Sequence, residues 1–264
     1  SPDCLEGLDV MTLLRCTCKQ FSGYSVLKLK HTDGRPLKCN VLSRFTRLQV
    51  LEVTGLRTPP PRLPLSRYLL SLTLSNNYMR DWRIAQIASN LPETLLALDL
   101  DCNIVTAAGC MELARHFPPN LLTLKLSQNY LKDDGACALA GHFPPSLKNL
   151  YLRENGIGAR GVRALSATMP RLKTFDLFKN VHPCRLGGSC LAESEWLGRL
   201  TALDVGFNYF GNKAVDSLLE ALPCTVLHLN LCGNSCDRAP KGFPEALRSL
   251  DLSFNDMGVG IREL

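Results

Sequence analysis

The stretches "LLALDLDCNIV" (95–105), "LLTLKLSQNYL" (121–131) and "LKNLYLRENGI" (147–157) share one pattern, in which spaced leucines are followed by an asparagine. Aligned on Leu-x-x-Leu-x-Leu-x-x-Asn, the chain contains eight such asparagines, spaced 26, 26, 26, 25, 28, 26 and 21 residues apart. They are Asn77, Asn103, Asn129, Asn155, Asn180, Asn208, Asn234 and Asn255. Self-similarity at a period of about 20–50 residues is typical of proteins built from stacked repeats. The pattern therefore predicts a repeat array over most of the chain.

Each repeat combines two periodicities. In "LALDL" (96–100) the leucines alternate with other residues, which predicts a short strand with its leucines on one face. One such strand cannot bury its own apolar face, so neighbouring copies must stack into a parallel sheet. Apolar residues at helical spacing then predict helices within 106–117, 132–143, 158–169 and 212–222. We predict an α/β solenoid with the sheet on its concave face and the helices on its convex face.

The repeated asparagines follow the strands, at the point where the chain turns sharply. A side-chain amide both donates and accepts hydrogen bonds, so stacked copies can satisfy loop backbone groups that no strand pairing reaches. We therefore predict a structural ladder of asparagines and assign none of them a chemical role.

These repeats resemble those of the leucine-rich repeat family, and their length with full helices is similar to the ribonuclease-inhibitor type. The resemblance covers about four-fifths of the chain and implies a horseshoe-shaped solenoid that binds a protein on its concave face. A degenerate copy, "LQVLEVTGL" (48–56), lacks the asparagine. We place the solenoid at residues 26–264, with irregular first repeats to about residue 68 and regular repeats over 69–264.

The first residues do not belong to the array. "LEGLDVMTLLRCTCKQF" (5–21) has apolar residues every three to five positions, which predicts a helical N-terminal cap over residues 1–25. The stretch also resembles the second half of an F-box, a helical motif that binds a Skp-family adaptor. The residues that carry this resemblance are Leu8, Leu13, Leu14, Cys18 and Phe21. The resemblance implies a substrate receptor of an SCF-type cullin–RING ubiquitin ligase; a cap that only covers the first repeat is the alternative.

The cysteines and the hydropathy of the chain indicate in which cellular compartment it is found. The chain has 12 cysteines among 264 residues, and most stand where a small apolar residue would serve. No Asn-x-Ser/Thr glycosylation site occurs, so we expect reduced thiols and an intracellular protein. We expect a cytoplasmic location, or an organellar one if an upstream targeting segment was removed. No apolar run is long enough to span a bilayer, so we expect no membrane insertion.

The net charge of +6 is unevenly distributed. Residues 1–68 contain 11 Lys and Arg against 5 Asp and Glu, whereas residues 69–264 contain 19 of each. The basic residues lie between positions 15 and 67, where they could contact RNA or an acidic partner. Few aromatic residues interleave with these charges, so stacking on bases is not indicated.

Strand positions that point away from the leucines form the predicted concave face. A patch of aromatic residues beside an arginine crosses three neighbouring repeats there, and polar residues adjoin it. Exposed aromatic residues next to arginine are typical of interface hot spots. The candidate partner-binding residues are Tyr151, Arg153, Asp176, Phe178, Asp204, Phe207, Tyr209 and His228.

The same face also carries the residue types of a hydrolytic site. Strand register places Ser249 beside His228, with Asp204 and Asp251 nearby, which resembles a hydrolytic triad. An open sheet surface offers no oxyanion hole and no strained nucleophile turn, so we interpret the grouping as accidental.

Phosphate and metal sites are also not indicated. "GFNYFGNK" (206–213) departs from a phosphate-binding loop because its lysine is displaced by one position. His182, Cys184 and Cys190 match no zinc-ligand spacing. The sequence therefore predicts a protein-binding, non-enzymatic solenoid without a cofactor or metal. Two functions remain open: a ligase substrate receptor, and a scaffold subunit of a large ribonucleoprotein or organellar assembly.

Overall fold

A computed structural model describes residues 19–21, 24–26, 28–31, 46–56, 63–180 and 186–258 of the chain. Ten strands form a single open parallel sheet whose spatial order follows the chain order. These strands are β3 (Lys28–His31), β4 (Val50–Val53), β5 (Ser71–Thr73), β6 (Ala97–Asp99), β7 (Thr123–Lys125), β8 (Asn149–Tyr151), β9 (Thr174–Asp176), β10 (Ala202–Asp204), β11 (His228–Asn230) and β12 (Ser249–Asp251). The predicted α/β solenoid with one parallel sheet is confirmed.

The helices connect successive strands and lie on the opposite side of the leucine core. They are α1 (Asp81–Ala88), α2 (Ala107–Arg115), α3 (Lys132–Leu139), α4 (Ala159–Thr168), α5 (Leu186–Ala192) and α6 (Gly211–Ala221). The four helices predicted from periodicity are present as α2, α3, α4 and α6, each within a few residues of the expected bounds. Their buried faces join the shared core, so each repeat from β5 to β10 contributes one strand and one helix. The chain between β11 and β12 contains no helix.

A row of inward side chains runs through the centre of the sheet. The central residue of each strand from β4 to β11 is at most 2% exposed, and paired strands place these residues side by side. Phe175 replaces the usual leucine in β9 and packs its ring edge against Trp196 at 5.5 Å between centroids. Leu250 of β12 is 38% exposed because no further strand of the described chain covers it. Burial of this row is the main source of stability in such a stack.

The longest interval between asparagines, from Asn180 to Asn208, suggests an outward loop. Instead, residues 186–192 form α5, and Glu195–Arg199 form a 3-10 helix that carries the buried Trp196. The described part of the interval is therefore helical, because its extra residues add a second short helix that fills the core beside Phe175. Residues 181–185 lie outside the described residues.

The N-terminal cap differs from the helical prediction where the structure describes it. β1 (Lys19–Phe21) and β2 (Tyr24–Val26) form an antiparallel pair in which Phe21 faces Tyr24. The helical prediction is therefore wrong for these residues. Aromatic and β-branched side chains favour strands, and the two connecting residues include glycine, as is typical of tight hairpins. Residues 1–18, with Leu8, Leu13, Leu14 and Cys18, lie outside the described residues.

None of the helices in the described part of the chain combines the length and the apolar composition needed to cross a bilayer. The described cysteines are all free thiols, and Cys110, Cys232 and Cys236 are buried. Burial raises the pKa of the Cys236 thiol to about 11, with a smaller contribution from Asp216. Such thiols pack as small apolar groups, as the sequence suggests.

Candidate functional site

The concave face consists of three rows of side chains that cross the strands at right angles. In-register parallel pairing places equivalent residues of neighbouring repeats next to each other. The middle row over β6 to β12 is Asp99, Lys125, Tyr151, Asp176, Asp204, Asn230 and Asp251. The row that follows it, two residues past the end of each strand, is Asp101, Ser127, Arg153, Phe178, Gly206, Cys232 and Ser253. The partner-binding residues predicted within the strands therefore lie on one continuous face.

The repeated asparagines lie behind this face, at the turn after each strand. The Nδ2 of Asn103 donates to the carbonyl oxygens of Leu74 and Leu100 at 3.0 and 2.9 Å. Its Oδ1 accepts from the backbone N–H groups of Asn77 and Met79 at 3.2 and 3.0 Å. Each amide thus ties its own turn to the turn of the preceding repeat, as the amide group's donors and acceptor allow. These bonds fix the edge of the concave face that carries the aromatic residues.

The carboxylates of the middle row share one orientation. In each, Oδ1 accepts a hydrogen bond from the backbone N–H two residues further along. The distances are 3.1 Å for Asp99, 3.0 Å for Asp176, 3.1 Å for Asp204 and 2.9 Å for Asp251. Because one oxygen is held in this way, the second oxygen of each carboxylate is left at the concave surface.

Arg153 links three strands of the face. Its Nε lies 3.3 Å from Oδ2 of Asp176, and its Nη2 lies 3.1 Å from Oδ2 of Asp204. The guanidinium also stacks on the ring of Phe178, with 4.4 Å between the central carbon and the ring centroid. A cation held by two carboxylates and an aromatic face is a rigid arrangement, since each contact restricts a different direction of movement.

A continuous row of aromatic rings extends from this arginine along the rim of the sheet. The ring centroids of Phe178 and Phe207 are 5.4 Å apart, and those of Phe207 and Phe254 are 5.5 Å apart. We call these three rings with Arg153 the aromatic rim. Phe254 is 79% exposed, so the rim ends in a ring that is open to solvent.

Glycine makes the aromatic rim possible. A Cβ at Gly233 would lie 2.7 Å from the ring of Phe207, and a Cβ at Gly206 would lie 2.9 Å from the ring of Phe178. Each ring therefore lies over the backbone of a neighbouring repeat, where a larger side chain would displace it. Gly233 also has a φ of +61°, in the region that favours glycine.

The structure brings together most, but not all, of the predicted patch. Tyr151 is on the face but is drawn toward Lys125, whose Nζ lies 5.7 Å from its ring centroid. Tyr209 is 48% exposed and lies past the turn, outside the chain of ring contacts. Phe254, which the sequence only places just past a strand, joins the rim. Alignment on the asparagines gives the signal, because Phe207 and Phe254 both directly precede one.

Burial raises the pKa values of two carboxyl groups on the concave face. Burial, with the nearby charge of Asp176, raises the pKa of Asp204, while the N–H of Gly206 and the charge of Arg153 act in the opposite direction. Burial and the charge of Asp99 raise the pKa of Asp101 to about 6, although the N–H of Ser127 opposes this shift. Carboxylates therefore remain on this face at a net cost in solvation.

The catalytic alternative gains no geometric support. His228 pairs in register with Ser249, but Asp204 and Asp251 lie in the middle row with Asn230. That row is about 6.6 Å further along the strands. The described residues contain no group of three or more His, Cys, Asp or Glu that could hold a metal ion. His182 and Cys184 lie outside the described ranges.

Most of the basic first quarter also lies outside the described residues. Of its described members, Lys30 pairs with Glu52 at 2.5 Å, and the guanidinium of Arg67 lies 5.1 Å from the ring centroid of Tyr68. These contacts engage two of the cations within the chain. Binding of RNA or of an acidic partner by residues 15–67 stays a prediction.

Comparison with known proteins agrees with this architecture. The family model described as "Leucine Rich repeat" matches residues 144–166 and 246–261. The chain has the fold of a leucine-rich-repeat solenoid. No curated protein matches its sequence.

Solved leucine-rich-repeat structures resemble this solenoid at low sequence identity. The ectodomain of the receptor kinase GASSHO1/SCHENGEN3 from Arabidopsis thaliana, in complex with CASPARIAN STRIP INTEGRITY FACTOR 2, is 19% identical with a TM-score of 0.51. The match covers 88% of this chain and 27% of the receptor chain. An internalin from Listeria monocytogenes is 20% identical with a TM-score of 0.52, over 85% of this chain and 58% of the internalin. The solenoid thus spans only part of the length of either protein.

Proposed function

We propose that this solenoid is a non-enzymatic binding protein that holds a protein partner against β8–β12 of its concave face. The aromatic rim is the observation that carries the proposal. Arg153, Phe178, Phe207 and Phe254 form one uninterrupted series of contacts that spans the repeats of β8 to β12. Large rings beside an arginine supply much of the binding energy at protein interfaces.

Exposure of the rim supports this proposal. Soluble proteins seldom leave contiguous aromatic surface in water without a use for it. Here the ring of Phe254 is 79% exposed. Gly206 and Gly233 leave room for the rings of Phe178 and Phe207, which lie over them. A fixed aromatic surface binds with little loss of side-chain freedom, which favours affinity. By analogy, the plant receptor ectodomain with the same fold was solved in complex with another factor.

Selection of binders from a random peptide library displayed on phage tests this function. Each recovered binder is measured again on Phe207→Ala and on two controls, Tyr130→Ala and Met111→Ala. Tyr130 is 58% exposed just past the Asn129 turn, outside the aromatic rim and several repeats away from Phe207, and Met111 is 47% exposed on α2. We expect Phe207→Ala to weaken binding by roughly 30-fold, the effect of a 2 kcal/mol hot spot, while the controls bind normally. Binders that ignore Phe207→Ala, or that respond equally to Met111→Ala, would contradict the proposal.

The N-terminal resemblance gives this binding role a specific setting. We propose that residues 5–21 bind a Skp-family adaptor, so that the concave face presents a substrate to an SCF-type ligase. The support is the F-box-like pattern of Leu8, Leu13, Leu14, Cys18 and Phe21. Mixing the chain with a purified Skp-family adaptor should give a complex that Leu13→Glu disrupts. Failure to form any complex would refute the ligase role without affecting the concave-face proposal.

A scaffold role in a large assembly is the second candidate, and charge distribution favours it. The first 68 residues carry 11 cations and 5 carboxylates, and the described thiols are free, which supports an intracellular setting. Under this proposal RNA binding is salt-sensitive and weakens when Arg35, Lys38 and Arg44 are changed to glutamine. Binding that survives both high salt and these substitutions would argue against the scaffold role.

A further inference from the structure

The concave face has the opposite charge from the chain as a whole. Over β6 to β12 its middle and following rows contain five carboxylates, Asp99, Asp101, Asp176, Asp204 and Asp251, and two cations, Lys125 and Arg153. The face therefore carries a formal charge of −3 on a protein whose net charge is +6. A negatively charged surface on a protein of positive net charge attracts positively charged partners.

Arg153 shows how a cation is held here. Its guanidinium lies on the ring of Phe178 and against the carboxylates of Asp176 and Asp204. Both parts of this arrangement recur further along the face, since Phe207 and Phe254 continue the rings and Asp251 continues the carboxylates. Within the described residues no cation of the chain pairs with Asp251.

A shallow depression lies over the middle row of the face and over the row that precedes it along the strands. It has a volume of about 370 Å³ and is lined by Tyr151, Asp176, Asp204, His228 and Asp251, among others. The small side chain of Ala202 lies at its lining between the larger residues. An extended segment crossing the strands at this level has carboxylates beneath it, and the aromatic rim lies further along the strands, past the middle row.

We propose that the partner held on this face presents an arginine-rich extended segment. Its guanidinium groups stack on Phe207 and Phe254 and pair with Asp251 and Asp176, in the way that Arg153 already stacks on Phe178. Arginine fits better than lysine because its planar group both stacks and forms two parallel hydrogen bonds. This inference rests on the proposed concave-face binding and adds the chemistry of the partner.

A labelled ten-residue peptide of alternating arginine and glycine is the probe. Fluorescence anisotropy compares it with two matched peptides, one with citrulline and one with glutamate in place of each arginine. Citrulline keeps the planar shape and removes the charge. We expect the arginine peptide to bind, the citrulline peptide to bind at least about tenfold more weakly, and the glutamate peptide not to bind. Affinity for the arginine peptide should fall as salt rises.

Two pairs of substitutions test whether the arginine peptide binds on the concave face. The pair Asp176→Asn and Asp251→Asn keeps the side-chain oxygens that accept from the backbone and removes two charges. It should weaken the arginine peptide about 5-fold or more, given about 2- to 5-fold for each exposed ion pair. The control pair, Glu193→Gln and Glu220→Gln, makes the same charge change on exposed positions beside the helices and should leave affinity unchanged.

The outcomes separate this inference from the proposed function. Equal effects of the two pairs, or equal binding of the arginine and citrulline peptides, would overturn the arginine-rich partner. If the peptide library yields binders that depend on Phe207 but carry no excess of arginine, concave-face binding stands and this inference fails. If neither the library nor the arginine peptide gives binding that depends on Phe207, both fail.

Discussion

Replacing Asn103 with alanine tests the contribution of the asparagine ladder to the stability of the solenoid. The side chain is 4% exposed, donates to the partly buried carbonyl of Asp101, and satisfies four buried backbone groups. Two of them, the carbonyls of Leu74 and Leu100, also accept from neighbouring asparagines and keep one partner in the variant. The N–H groups of Asn77 and Met79 are left buried without an acceptor.

The magnitude follows from this unequal loss. Each buried N–H without an acceptor costs about 1–3 kcal/mol, and each weakened carbonyl about 0.5–1 kcal/mol. The free energy of unfolding should therefore fall by about 3–8 kcal/mol. Urea denaturation measures the change as a lower midpoint at similar slope. Amide hydrogen exchange should accelerate most at residues 77 and 79, because these groups lose their acceptor.

Asn255 provides the matched control. It makes the same four kinds of hydrogen bond, to Leu231, Leu252, Asn234 and Cys236, but it is only partly buried. Water can replace the lost amide there, so Asn255→Ala should cost about 1–2 kcal/mol. Equal losses for the two variants, or a loss below about 1 kcal/mol for Asn103→Ala, would refute the assignment of the cost to buried unsatisfied groups.

Three further substitutions test separate parts of the structure. Asp101→Asn should leave the free energy of unfolding unchanged below pH 4. Because the pKa of Asp101 is raised from 3.8 to about 6, the wild type loses stability as pH rises through that window, and the variant should be about 1 kcal/mol more stable in urea at pH 7. Gly161→Ala should destabilise the protein by about 1–3 kcal/mol, seen as a lower melting temperature, despite its better helix propensity. The added Cβ would lie 2.7 Å from Ile157 and 2.9 Å from Ala136. Phe175→Ala, at 1% exposure, should cost about 3–5 kcal/mol in the same melting assay. A stabilised Gly161→Ala, a neutral Phe175→Ala or a pH-independent Asp101→Asn would each contradict its reasoning.

The spacing of leucine and asparagine was sufficient to predict the fold. An inward residue such as Leu98 and a turn residue such as Asn103 have roles that depend only on position within the repeat, so periodicity alone locates them. Strand register then follows, and it places Tyr151, Asp176 and Asp204 side by side as expected. These parts of the concave face could be predicted because backbone pairing determines them.

Contacts that depend on side-chain direction could not be predicted in this way. Register places Arg153 near Asp176 but does not show that it reaches Asp204, two strands away. The space for the Phe207 ring depends on the absence of a Cβ at Gly233 in the following repeat. At the N-terminus, periodicity favoured a helix where Lys19–Phe21 form a strand, because a short apolar pattern cannot distinguish the two.

The asparagine ladder also determines how the solenoid would respond to mechanical force. Its hydrogen bonds join each turn only to the turn of the neighbouring repeat. Tension applied between the two ends would therefore detach repeats one after another instead of breaking the whole sheet at once. A 26-residue repeat would release about 9 nm of extended chain. Asn255 is less buried than the other described asparagines of the ladder, so extension would begin at its repeat and would first remove Phe254 from the aromatic rim.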